Sequence, residues 1–131
     1  MEQAFYQNLT EQLDTISDCL ERRRIIPCLC LIYSSIDVVA SLERRPNEDP
    51  KAAFVRWVSD NMSKTKPLSC TPLELYAARC GILHTFTADS DLSRKGKVVR
   101  SSTPGGTPMP RILRRLRDVL AEQRLRSIWA T

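Results

Sequence analysis

The sequence predicts an all-α protein, an antiparallel helical bundle followed by a loosely attached basic C-terminal helix. Three observations lead there. Four stretches before residue 86 space their apolar residues three and four apart, and no stretch alternates convincingly as a strand. The charge also breaks near residue 90: residues 1–90 hold ten Lys or Arg against twelve Asp or Glu, a balance of −2, whereas residues 91–131 hold ten against three, a balance of +7. The division expected is a bundle domain over 1–90 and a basic linker with a C-terminal helix over 91–131. At 131 residues, 42% hydrophobic, the chain is long enough for a single core without staples.

The first helix runs from Gln3 to about Arg23, with Phe5, Leu9, Leu13, Ile16 and Leu20 on one buried stripe. Arg22, Arg23 and Arg24 fall in its last turn, where positive charge suits the helix dipole; a nucleic-acid contact is the other reading. The second helix, Ile25 to Leu42, is apolar almost all round and should be the most buried element. Pro27, Ser34, Ser35 and Asp37 interrupt it, making it too polar and short for a membrane span. The opening MEQAFYQNLTEQLD lacks a basic region followed by an apolar one, so no signal peptide is expected. A soluble cytoplasmic protein with no membrane association follows. Asp37 is the one acid of the second helix. A buried carboxylate is costly alone, so Asp37 should reach the rim of the core or pair with a base, Arg79 first among candidates; a simple exposed Asp on the one wet side of the helix is the equal alternative.

Arg44 to Pro50 is a polar connection bounded by prolines. Ala52, Ala53, Phe54, Val55, Trp57, Val58 and Met62 form the third helix, and Ser63 to Cys70 is a loop. The fourth helix begins at Thr71, where Thr71, Pro72 and Glu74 make a capping box with proline at the first helical position. Its apolar stripe reads Leu73, Tyr76 with Ala77, Cys80 and Leu83, leaving Arg79 off the stripe. The core should include Leu29, Ile32, Ile36, Val39, Phe54, Trp57, Leu75 and Leu83.

Beyond His84 the pattern changes. SSTPGGTPMP at 101–110 reads as a linker, and Arg111 to Trp129 recovers helical spacing with six arginines. With suitable codons, Thr103 to Arg115 read one nucleotide back spells another plausible protein segment. A frameshifted tail is therefore a hypothesis, which the gene's nucleotide sequence tests.

The five cysteines, at 19, 28, 30, 70 and 80, are odd in number and lack a CxxC pair. Neither a disulfide framework nor a metal site is indicated, and reduced buried thiols are expected. No cofactor is called for.

Arg79 and His84, the chain's single histidine, stand in the form R-x4-H on a late helix of a short helical chain, after a very apolar helix with one acid. In these features residues 1–90 resemble the HEPN family. The resemblance implies a helical bundle, a homodimer with the two motifs meeting at its seam, and metal-independent cleavage of RNA, in a toxin or defence component that can have an antitoxin partner. Arg79 and His84 would be catalytic, with Asp37 and Cys80 supporting them. The chemistry suits these side chains: imidazole exchanges protons with a ribose 2′-OH or a leaving oxygen, and guanidinium neutralises charge on the phosphate. On a regular helix the two residues lie about 140° apart around the axis, so a bend at Gly81 or a long reach by Arg79 is needed. One position departs from the family, whose nucleases commonly carry a polar residue directly after the arginine, where this chain has Cys80. The alternative is therefore a catalytically inactive helical interaction or regulatory module that dimerises or binds a partner.

Overall fold

A computed structural model of the chain describes residues 2–62, 70–86 and 114–122, which are helices joined by turns, with no strand among them. Four helices come first: α1 (Glu2–Glu21), α2 (Ile25–Leu42), α3 (Pro50–Met62) and α4 (Pro72–Thr85). A fifth helical stretch, α5, covers residues 114–122. Most of the expected 63–70 loop, the 101–110 linker, and Ile112, Leu113 and Ile128 lie outside the described residues.

Helix α1 buries Leu9, Leu13 and Ile16, with Phe5 and Leu20 packed at the edge of the core. It ends two residues earlier than its spacing predicts. The Arg24 N–H donates to the Cys19 carbonyl at 2.9 Å and the Arg23 N–H to the Leu20 carbonyl at 3.2 Å, while Arg23 takes φ 54°. That pair of bonds around a left-handed residue is a Schellman closure, a place glycine usually fills. Arg22, Arg23 and Arg24 are thus the turn into α2 rather than the last turn of α1.

Helix α2 is the centre of the fold, in contact with α1, α3 and α4. It buries Cys28, Leu29, Ile32, Tyr33, Ser35, Ile36, Val39 and Ala40, which lie on one side of the helix within an arc of about 160°, so it is buried on one face and not all round as its composition suggests. Its 18 residues are long and apolar enough to cross a membrane by length and composition. In this fold one side of it packs in the core against its neighbours, while Val38 and Leu42 are exposed. The Ser35 hydroxyl is satisfied locally, donating to the Leu31 carbonyl at 2.8 Å.

The connection to α3 is held by one arginine. Arg56 donates from Nε to Glu48 Oε1 at 2.7 Å, and from Nη2 to Glu48 Oε2 at 3.0 Å and the Glu43 carbonyl at 2.8 Å. Asp49 Oδ1 then accepts the Ala52 N–H at 2.7 Å, capping the start of α3. From α3, Ala53, Phe54, Trp57, Val58 and Met62 enter the core.

Of the expected core residues, Leu29, Ile32, Ile36, Val39, Phe54, Trp57 and Leu75 are buried, while Leu83 is partly buried at the margin. Loose attachment of the C-terminal helix does not hold for 114–122. Leu116 and Leu120, one turn apart, are fully buried in the same core cluster, and Arg115 Nη2 donates to the Met62 carbonyl. Burial of two leucines outweighs the helix's basic composition, because its charged positions lie on its other sides.

Candidate functional site

Helix α4 carries three of the candidate residues and starts where its sequence signal places it. Thr71 Oγ1 accepts the Glu74 N–H at 3.1 Å, and Glu74 Oε2 accepts the Thr71 N–H at 2.9 Å, completing the capping box with Pro72 behind it. The helix runs unbroken to Thr85 and closes on Phe86, which takes φ 55° and donates its N–H to the Ile82 carbonyl at 3.0 Å. Gly81 does not interrupt the helix. Gly81 is buried instead, where the lack of a side chain permits close approach of neighbouring atoms.

The buried face differs from the expected stripe. Leu75, Ala77, Ala78, Gly81 and Ile82 are buried, whereas Leu73, Tyr76, Cys80 and Leu83 are only partly so. Arg79, next to Ala78, therefore lies at the border of the core. From there it meets Asp37 of α2, as the cost of a lone carboxylate predicts: Nη2 lies 2.7 Å and Nε 3.0 Å from Asp37 Oδ2. The pair is mostly covered, with side chains 21% and 30% exposed.

Two further groups complete the cluster. Arg79 Nη1 donates to Cys80 Sγ at 3.6 Å, and the guanidinium carbon sits 5.4 Å from the centroid of the Tyr76 ring. Tyr76 in turn meets Phe54 edge to face at 5.3 Å. Burial works against the guanidinium charge, but the hydrogen bonds and charge of Asp37 outweigh it and hold Arg79 above its ordinary pKa. Burial pushes the Tyr76 phenol up, Cys80 adds to this, and Arg79 opposes it. Tyr76 was assigned by spacing to the core stripe; the signal for its contact with Arg79 is the i,i+3 separation on one helix.

His84 stands apart from the cluster. It is exposed on the last turn of α4, where a cation suits the helix dipole, and no hydrogen bond joins it to Arg79. On an unbroken helix the two remain about 140° apart around the axis. The structure brings Arg79, Asp37 and Cys80 together within one chain and leaves His84 outside.

The cysteines are free, but Cys28 alone is fully buried; Cys19, Cys30, Cys70 and Cys80 are partly exposed. Among the described residues, no group of three or more His, Cys, Asp or Glu is arranged to hold a metal ion. A groove of about 300 Å³ between α1 and α2 is lined by residues including Phe5, Gln12, Ser34 and Val38, and by none of the four candidate residues. No protein-family model, curated protein or solved structure matches the chain.

Proposed function

We propose that this chain is a HEPN-like, metal-independent endoribonuclease of the cytoplasm, acting as a homodimer in a toxin or defence role. The observation that carries the reading is the Arg79–Asp37 pair, which holds a cation in a fixed direction on the same helix as an exposed histidine. Guanidinium has five N–H groups. Two go to Asp37 and one to Cys80, leaving two for a phosphate oxygen. His84, exposed, is the group that exchanges a proton with the ribose 2′-OH or the leaving oxygen. Since His84 and Arg79 of one chain diverge, a symmetric dimer that sets two α4 helices together would let the His84 of one copy work beside the Arg79 of the other. Two histidines at the seam would also supply both an acid and a base.

A second reading is favoured by the same cluster. With three N–H groups occupied and Cys80 where a stronger hydrogen-bonding side chain would stand, Arg79 serves as a structural tie between α4 and α2. The chain is then an inactive module that dimerises or binds a partner protein such as an antitoxin. Cleavage of single-stranded RNA in EDTA separates the two. The nuclease reading expects cleavage that falls ~10²- to 10⁴-fold in His84→Ala, and falls also in Arg79→Ala, with folding intact. Activity that appears only in Cys80→Asn would assign the natural chain to the second reading. Cleavage that survives loss of both Arg79 and His84 would remove the site altogether.

A further inference from the structure

The turn from α1 to α2 presents Arg22, Arg23 and Arg24 in succession, all exposed. Unlike Arg56, Arg79, Arg115 and Arg117, none of the three makes a side-chain hydrogen bond or ion pair among the described residues. The carbonyls that end α1 do not call for them, since those of Asp18, Cys19 and Leu20 already accept the N–H groups of Arg22, Arg24 and Arg23. The turn leads straight into the N-terminal end of α2, which has Arg24 as its cap residue, no side-chain cap and no acid in its first turn. Three cations at the positive end of a helix dipole repel it and one another. An anion placed there relieves both repulsions.

The acids beside the turn in sequence are Asp18 and Glu21, exposed at the end of α1, two against the three arginines. They leave an excess of positive charge. The large exposed apolar residues among those described are Val38, Leu42 and Phe86, and Leu42 closes the opposite end of α2. Among the described residues, no large exposed apolar side chain directly follows Arg22 to Arg24, Ile25 and Ile26 being partly buried. This favours a phosphodiester chain over an anionic membrane, which needs an apolar anchor.

We propose that the Arg22–Arg24 turn binds the phosphate backbone of single-stranded RNA. The choice of RNA among polyanions rests on the ribonuclease reading; the site itself rests on the turn. The test measures binding of a fluorescein-labelled oligouridylate by anisotropy, using the full chain in EDTA over a range of KCl concentrations. His84→Ala serves as the parent so that the probe stays intact. Arg22→Gln, Arg23→Gln and Arg24→Gln combined should weaken binding about 10²-fold near 0.1 M salt and lower the slope of log K against log salt by about 2, three contacts at ~0.7 each. Arg23→Gly supplies a second variant that cannot be dismissed as misfolded, because glycine suits the left-handed position. Its thermal midpoint should hold or rise while RNA binding drops about fivefold. Unchanged affinity and salt slope in a folded triple variant would overturn the site. So would loss of binding to phosphatidylserine vesicles with RNA binding intact. Cleavage is scored separately on chains with His84 present, so an inactive protein that still binds RNA through these arginines refutes the nuclease reading and leaves the site standing.

Discussion

Asp37 is the only carboxylate on α2, and its ion-pair partner among the described residues is Arg79. Because both side chains are largely covered, losing either strands the other in a partly dry setting, a heavier loss than for an exposed pair. Two charge-assisted hydrogen bonds of good length, discounted for residual exposure, should couple the residues by about 1–2 kcal/mol. A double-mutant cycle of Asp37→Asn and Arg79→Gln, followed by urea unfolding, measures this directly. A coupling near zero would show that water screens the pair and that α4 is held by its apolar face alone. Asp37→Asn should also loosen the direction of Arg79, which the ribonuclease reading turns into slower cleavage.

At the level of elements, helix ends and connections decide the geometry of this protein. The capping box fixes where α4 starts, and the Schellman closure fixes where α1 stops. The α2–α3 connection depends on Arg56, whose hydrogen bonds, with that from the Arg45 N–H, hold the Glu48 carboxyl down at about 2. A carboxylate depressed in the folded state adds stability that is complete above its unfolded value, 4.5, and is lost as pH falls through its folded value. Glu48→Gln should therefore unfold at lower urea than the parent at neutral pH. The two should converge as the pH approaches 2, and a gap independent of pH would mean that Glu48 acts through packing rather than charge.

For the whole molecule, the question is what belongs to the core. Leu116 and Leu120 are as inaccessible as Ile32 or Phe54, so the 114–122 helix is a structural part of the molecule although it follows 27 residues, 87–113, outside the description. Leu120→Ala should cost about 2–5 kcal/mol, the range for emptying a leucine site in a close-packed interior. Thermal or urea unfolding checks this, and a loss below about 1 kcal/mol would return the tail to the loose attachment that its charge suggests. Leu116 and Leu120, one turn apart, are buried whether or not the tail is frameshifted, and the gene's nucleotide sequence is what tests the frame.

Much of the architecture was legible locally. The capping box and the proline at the first helical position are each set by a few neighbouring residues and recur in the folded chain, and the pairing of Asp37 with Arg79 is one of the two readings that an acid on an apolar helix allows. Other features required the tertiary structure. Helix α4 is apolar on so many sides, from Leu73 through Leu83, that its spacing selects no unique face. Packing chose the side bearing Ala78 and Gly81, whose small size permits the closest approach, and put Tyr76 and Cys80 beside Arg79 at the margin. The arginine run fits the end of a helix as well as a turn by composition alone; only the backbone bonds to Cys19 and Leu20 separate the two. For α5, net charge pointed away from the core and two leucines pointed into it. The leucines prevailed because burial acts on the face that meets the core, while charges on the other faces stay in water.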